Sequence, residues 1–276
     1  MRYNELWRKL HDASYTEGEA KAVIRMLLTD KYGMTTADML CEDVERYTDA
    51  ETLSADVSAL LAFVPVQYVV GKSWFCDRLF AVRRGCLIPR PETEELCRWI
   101  EESSYPSPPA ILDIGTGSGC IAITLSLDIS EAEVEAWDIS DEAIAIANDN
   151  IHSSKADVNV IKCDALNPPT DIEKYDVIVS NPPYVCDNER GRMEANVLRY
   201  EPHGALFVPD DDALLFYRAI ARYASSALRH GGCLYFEINP LYHSQMEDML
   251  NALGYDDILM REDQFGKQRF IKAIRK

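Results

Sequence analysis

Apolar positions change their period along the 276 residues of this chain. From residue 1 to about 65 they recur every three or four residues, the spacing of amphipathic helices. Behind the capping box Thr16-Glu17-Gly18-Glu19, the residues Ala20, Val23, Ile24, Leu27 and Leu28 share one helix face. Asp30 to Gly33 interrupt that face. Thr36 is then expected to cap a short helix through Met39 and Leu40. Ser54 is expected to cap another, carrying Val57, Leu60, Leu61 and Val64 to a stop at Pro65. From Val66 the pattern changes. Val66-Gln67-Tyr68-Val69-Val70-Gly71 and Leu79-Phe80-Ala81-Val82 read as β-like runs around Gly71 and Asp77, which predicts a hairpin over 66–88. The prolines and acidic turn of Leu87-Ile88-Pro89-Arg90-Pro91-Glu92-Thr93-Glu94-Glu95-Leu96 suit a loop feeding a helix start.

From Ala110 strands and helices alternate, which predicts an α/β sheet. Ala110 to Ile114 is a buried strand, turned by Gly115-Thr116-Gly117-Ser118-Gly119 into a helix from Cys120 to Leu127. Val134 to Asp138 is the second strand, and Ser140 caps the helix that follows. Val158 to Lys162 is the third, leading to Cys163-Asp164-Ala165. Tyr175 to Ser180 is the fourth, apolar and β-branched as a strand buried on both faces would be. Asp212 opens a helix with Leu214, Tyr217, Ala221, Ala224 and Leu228 on one side, and His230-Gly231-Gly232 is expected to end it as a glycine cap. Cys233 to Ile238, Asp257 to Met260 and Gln268 to Ile274 complete seven strands, with a helix from Ser244 to Leu253 between the first two.

Candidate chemistry sits where these strands end, the edge at which open α/β sheets place ligands. The fourth strand stops at Asn181-Pro182-Pro183-Tyr184. Prolines lack an N–H and fix their own φ, so the loop is stiff. The Asn181 side-chain oxygen and the Pro182 carbonyl are two fixed acceptors, able to take both hydrogens of an –NH₂ group. Tyr184 offers a flat face for a planar amide or base. Upstream, the glycines of residues 115–119 let backbone approach a ligand. Asp138 can accept from both hydroxyls of a ribose, and Asp164 from an adenine amino group. The GxGxG spacing differs from the dinucleotide GxGxxG, and no Gly-Lys-Ser/Thr phosphate loop is present. Together these point to a nucleoside without phosphates, S-adenosylmethionine.

Composition narrows the partners. The hydrophobic fraction of 47% supplies an ordinary globular core, and no apolar run approaches a membrane span. The first residues lack the apolar core of a signal peptide. The eight cysteines contain no CxxC pair, so neither a disulfide framework nor a zinc site is expected, and a reducing cytoplasm fits. A net charge of −18 argues against gripping nucleic-acid phosphates. Two basic clusters run the other way and can form a local basic face: Arg78, Arg83, Arg84 and Arg90, and Arg261, Lys267, Arg269, Lys272, Arg275 and Lys276. Two rival readings follow from the same residues. One is a nucleic-acid N6-adenine methyltransferase that flips a base onto Tyr184. The other is a non-catalytic cofactor-sensing module.

The assembled motifs resemble the peptide-chain-release-factor glutamine N5-methyltransferases, the HemK/PrmC family, over nearly the whole chain. The resemblance rests on Gln67-Tyr68 with Gly71, the Ile88 to Glu94 run, Asp113 to Gly119, Asp138 with Ser140, Asn181 to Tyr184, and Tyr200-Glu201-Pro202 with Ala205-Leu206. The chain departs from the family pattern at Asn239, where glycine is usual, and at Ala165, where many members carry a large aromatic. The resemblance implies a class I S-adenosylmethionine-dependent methyltransferase: a Rossmann-like seven-stranded sheet with its last strand antiparallel. A helical substrate-docking domain (1–65) and a β-hairpin linker (66–88) precede the methyltransferase domain (89–276). It also implies the substrate, the glutamine side-chain amide of the release factors' Gly-Gly-Gln motif. The expected cofactor-binding residues are Gly115, Thr116, Gly117, Ser118, Gly119, Asp138, Ile139, Asp164, Ala165 and Asn181. The expected substrate-binding residues are Asn181, Pro182, Pro183 and Tyr184, of which Asn181, Pro182 and Tyr184 are catalytic. Neither a metal, a membrane nor stable nucleic-acid binding is expected, and the protein is read as a monomer.

Overall fold

A computed structural model of the chain describes residues 1–106 and 108–276. They form two compact units, one of Met1–Ser73, Val82–Arg84 and Glu194–Glu201, the other of Trp74–Ala81, Gly85–Met193 and Pro202–Lys276.

The first unit is helical: α1 (Tyr3–Asp12), α2 (Glu17–Met26), α3 (Thr36–Cys41), α4 (Ala50–Leu61) and α5 (Val66–Val70). Leu6, Leu10, Ile24, Leu27, Leu28, Leu53 and Leu60 are fully buried in its core, each burial contributing roughly 1.5–3 kcal/mol. Thr16 caps α2 as expected, accepting from the Glu19 N–H at 3.3 Å. The other two caps lie earlier than the periodicity placed them. Thr35, not Thr36, caps α3, in a reciprocal box with Asp38. Asp49, not Ser54, caps α4, accepting from the Thr52 N–H at 2.8 Å. The run Val66–Val70 is a single helical turn and a half, not a strand. Pro65 stands at its N-cap and Gly71 closes it in the left-handed region at φ 81°. Val66, Val69 and Val70 pack on the helical core, which outweighs their β propensity. A distant segment joins this unit, the stretch Glu194–Glu201, in which the Tyr200 hydroxyl donates to the Ala62 carbonyl at 2.7 Å.

The hairpin of β1 (Lys72–Phe75) and β2 (Arg78–Ala81) turns at Cys76 and Asp77. Phe75 and Phe80 meet edge to face at 6.0 Å in the second unit's core. That unit continues with α6 (Pro91–Glu101), β3 (Ala110–Ile114), α7 (Cys120–Asp128), β4 (Glu133–Asp138), α8 (Asp141–Ser154), β5 (Val158–Lys162) and β6 (Tyr175–Ser180). After β6 come β7 (Val185–Cys186), the first unit's α9 (Ala195–Tyr200), β8 (Phe207–Val208), α10 (Leu215–Ala227), β9 (Leu228–Glu237), α11 (His243–Ala252), β10 (Tyr255–Glu262) and β11 (Gln268–Arg275).

The main sheet has seven strands in the order β10-β11-β9-β6-β3-β4-β5, with β11 antiparallel to both neighbours. Alternation along the central strands feeds two cores. Ile111, Val177, Val179, Cys233 and Tyr235 join α6 and α7 on one face. Leu112, Ile114, Ile178, Leu234 and Phe236 join α10 and α11 on the other. Strand order reverses between β3 and β6, so the loops after these two strands flank the crevice of a doubly wound sheet.

Gly231 and Gly232 do not end α10, which stops at Ala227; they lie within β9. While β6 advances from Tyr175 to Val177, β9 advances from Leu228 to Cys233, so the glycines occupy a bulge. Gly231 has φ 78°, and a Cβ on Gly232 would stand 2.9 Å from the Arg229 carbonyl oxygen. The short parallel ladder of β7 with β8 had no signal in the polar stretch after Tyr184.

Candidate active site

A cavity of about 460 Å³ opens at the carboxyl edge of the parallel strands. Gly115 and Gly117 from the turn after β3, Asp138 and Ile139 after β4, Asp164 and Ala165 after β5, and Asn181, Pro182 and Pro183 after β6 all line it. Phe216 and Ile220 of α10 close one side. Its size is that of a small-molecule or cofactor site, roughly 300–1,000 Å³.

The glycine turn is closed on itself. Gly115, Gly117 and Gly119 all have positive φ. The N–H groups of Gly115 and Thr116 donate to the Trp137 carbonyl at 2.8 and 2.9 Å. That of Gly117 donates to Asp138 Oδ2 at 2.9 Å. Three amides that would cradle a phosphate are thus engaged by the protein, in keeping with a ligand lacking one. The Ser140 N–H holds the other Asp138 oxygen at 2.9 Å. The carboxylate is fixed on two sides and keeps lone pairs for a diol. Beside it Ile139 is 60% exposed, an apolar side chain left open against the cavity, where a flat base can rest. Asp164 is locked by its own turn, accepting from the Leu166 N–H at 2.9 Å and Asn167 Nδ2 at 2.7 Å.

Four of the expected residues stand outside the cavity wall. The Thr116 hydroxyl donates to Asp113 Oδ2 at 2.6 Å. Ser118 is buried and its carbonyl accepts from Asn150 Nδ2 at 2.8 Å. Gly119 packs against Ile123 and Ala147. Tyr184 turns its hydroxyl inward to Glu237 Oε1 at 3.1 Å, and burial with the neighbouring carboxylate lifts that phenol well above its ordinary pKa. The Asp113 carboxyl beneath the turn is pushed up to about 7 by burial.

Behind Asn181 lies a buried polar chain. Asn181 Nδ2 is 3.3 Å from Thr93 Oγ1, and that hydroxyl donates to Glu237 Oε2 at 2.7 Å. Asn239 donates through Nδ2 to the Tyr184 carbonyl and to Glu189 Oε2, both at 3.1 Å. A glycine there would leave that carbonyl and carboxylate without this donor.

The sequence is similar to those of known methyltransferases. A family model described as "Methyltransferase small domain" matches residues 96–199. A release factor glutamine methyltransferase from Bacteroides thetaiotaomicron is 43% identical over 264 residues, 95% of either chain. One from Streptococcus pneumoniae is 32% identical over 275 residues, 98% of either chain. This chain belongs to the release factor glutamine methyltransferase family. A methyltransferase from Pyrococcus furiosus superposes with a TM-score of 0.52 at 18% identity, over 71% of this chain and 87% of its own, and shares the fold.

As a member of that family, the chain is a methyltransferase whose cofactor is S-adenosylmethionine. Its cavity suits that molecule: a fixed carboxylate for the ribose, an apolar face for the base, and no open phosphate cradle. Asp138→Ala is expected to weaken S-adenosylmethionine binding by about 1–3 kcal/mol, since charged acceptors leave unpaired donors behind. Titration calorimetry reads this directly, and an unchanged affinity would remove Asp138 from the site.

Thr93, Glu237 and Asn239 are the polar residues that sequence reasoning missed. Residues Glu92 to Glu95 are explained by a helix cap, and Thr93 does sit in the first turn of α6 behind Pro91. The available signal was Glu237, a lone carboxylate closing the apolar run Cys233 to Phe236. A charge at that position is buried only if partnered.

Ion pairs engage five residues of the basic clusters. Arg78 pairs with Asp128, Arg261 with Glu102, Arg269 with Asp263, Arg275 with Glu173 and Lys276 with Asp256. Among the described residues no helix is long and apolar enough to cross a membrane.

Proposed function

We propose that the enzyme transfers the methyl group of S-adenosylmethionine to the side-chain nitrogen of the glutamine in the Gly-Gly-Gln motif of peptide chain release factors, and that Asn181 and Pro182 hold that nitrogen. The observation that carries this reading is the position of Asn181-Pro182-Pro183, in the wall of the cofactor cavity at the end of β6.

A primary amide is a poor nucleophile, because its nitrogen lone pair is delocalised into the carbonyl. Its N–H is also far too weak an acid for a side chain to deprotonate first. Placement therefore carries most of the rate. Asn181 Oδ1 and the Pro182 carbonyl accept the two N–H bonds and turn the nitrogen toward the methyl group. S-adenosylmethionine supplies that methyl on a sulfonium, whose neutral thioether is the leaving group. As the N–C bond forms, positive charge grows on nitrogen and both acceptors bind it more strongly. The proton leaves the nitrogen late, to solvent. Orientation of this kind is worth roughly 7–11 kcal/mol of barrier.

Residues 1–65 carry no cavity residue, and in this reading they dock the protein substrate. Leu40 supports it: the side chain is 72% exposed on α3, next to the buried Met39. Leu40→Glu is expected to raise KM several-fold for an intact release factor, about 1 kcal/mol of lost contact. KM for a short Gly-Gly-Gln peptide should not move. An equal change for both substrates would place docking elsewhere.

The protein is further read as a monomer, and as one without stable nucleic-acid binding, the latter supported by its net charge of −18. Transfer of labelled methyl from S-adenosylmethionine tests the function. Label is expected on intact release factors; label on duplex or single-stranded DNA instead would favour the base-methylating alternative.

A further inference from the structure

The hydrogen-bond chain behind Asn181 has a direction. Thr93 is 3% exposed and Glu237 2%, so neither relies on bulk water for partners. A threonine hydroxyl has one proton to donate. Here that proton goes to Glu237 Oε2 at 2.7 Å, while Tyr184 supplies the other carboxylate oxygen at 3.1 Å. With its proton committed, the Thr93 oxygen can only accept from its remaining neighbour. That neighbour is the Asn181 side chain, 3.3 Å away. Asn181 must then present its NH₂ to Thr93, which leaves Oδ1 for the cavity side. The reverse orientation would need the Thr93 proton for Oδ1 and would strip a donor from a buried carboxylate, a costly exchange.

We propose that Thr93, anchored by Glu237, is the positioning residue that sets the Asn181 amide with its oxygen toward the substrate, and so makes the site select an –NH₂ group. This rests on the function proposed above. Without the Thr93 hydroxyl the amide can turn over, and its NH₂ then opposes the NH₂ of the substrate glutamine. The turned amide instead suits an acceptor-only group such as a carboxylate. Thr93 lies 88 residues before Asn181 and 144 before Glu237, so only the fold brings the three together.

The test compares Thr93→Val, which keeps the shape and loses the hydroxyl, with Thr93→Ser, which keeps the hydroxyl. Both are assayed on a release factor, with a peptide carrying glutamate in place of the acceptor glutamine as competitor. Thr93→Val is expected to lower kcat by about 10²-fold, the effect of removing one aligned polar group from a transition state, while S-adenosylmethionine affinity stays unchanged. Thr93→Ser should restore most of the loss. The preference for glutamine over the glutamate peptide should narrow about tenfold or more in Thr93→Val. A kcat near wild type, an equal loss in Thr93→Ser, or lost turnover with the preference intact would each overturn the proposal. Should Thr93→Val fail to bind cofactor, Glu237→Gln carries the test. Its amide can donate to Thr93 and free the hydroxyl proton, so the same narrowing is expected, and an unchanged preference overturns the idea. A wild-type enzyme that leaves release factors unmethylated would refute the function, not the role of Thr93.

Discussion

A release factor with glutamate in place of the Gly-Gly-Gln glutamine is expected to lose methylation by on the order of 10⁴-fold or more. In the proposed reading the pocket offers acceptors, the Asn181 side-chain oxygen and the Pro182 carbonyl, and a carboxylate brings them no protons. Oxygens would oppose oxygens in a cavity walled on one side by Phe216 and Ile220. Asparagine makes an instructive intermediate. It keeps the amide but is one methylene shorter, so its nitrogen falls short of the methyl group, and a misplacement of about 1 Å can cost roughly 10² in rate. The expected order is glutamine far above asparagine, and asparagine above glutamate. Mass spectrometry of the three factors after incubation gives that order. Methyl ester on the glutamate form at a yield near that of glutamine would mean that the site selects no amide.

Asn181→Ala is the second large effect. Turnover on a release factor is expected to fall by about 10²–10³-fold or more, since one of two groups that strengthen as charge develops is gone. Cofactor affinity should stay within a few-fold, because the residues proposed to hold the ribose and base, Asp138, Ile139 and Asp164, lie at the ends of β4 and β5. The variant also removes the partner of Thr93 Oγ1, but that hydroxyl keeps its bond to Glu237. Near-normal turnover with this variant would disprove the presentation of the amide by Asn181.

Legibility from sequence followed the range of the forces involved. The parallel strands β3 and β6 were readable as short apolar runs stopped by a glycine turn and by consecutive prolines, and β4 and β5 as runs that alternate apolar and polar residues. The cavity-lining residues Gly115, Gly117, Asp138 and Asp164 were readable for the same reason: each lies at or just past the end of a strand. Val66–Val70 was misread because four of its five residues are β-branched or aromatic and favour a strand locally, whereas packing on the helical core decides otherwise. The glycines at 231 and 232 were misplaced because a C-cap and a bulge make the same demand for small residues and positive φ. The orientation of Tyr184 was not readable at all. Its partner Glu237 lies 53 residues away, and no local pattern says that a phenol there turns inward. The Thr93–Glu237 bond, across 144 residues, is of the same kind.

The most direct measurement is the position of the new methyl group on a release factor treated with this enzyme and S-adenosylmethionine. Fragmentation of the Gly-Gly-Gln peptide by tandem mass spectrometry locates it. One methyl on the glutamine side-chain nitrogen is the expected result, absent when Asn181→Ala replaces the wild type. A methyl on any other residue, or a factor left unmodified by active, cofactor-binding enzyme, would contradict it.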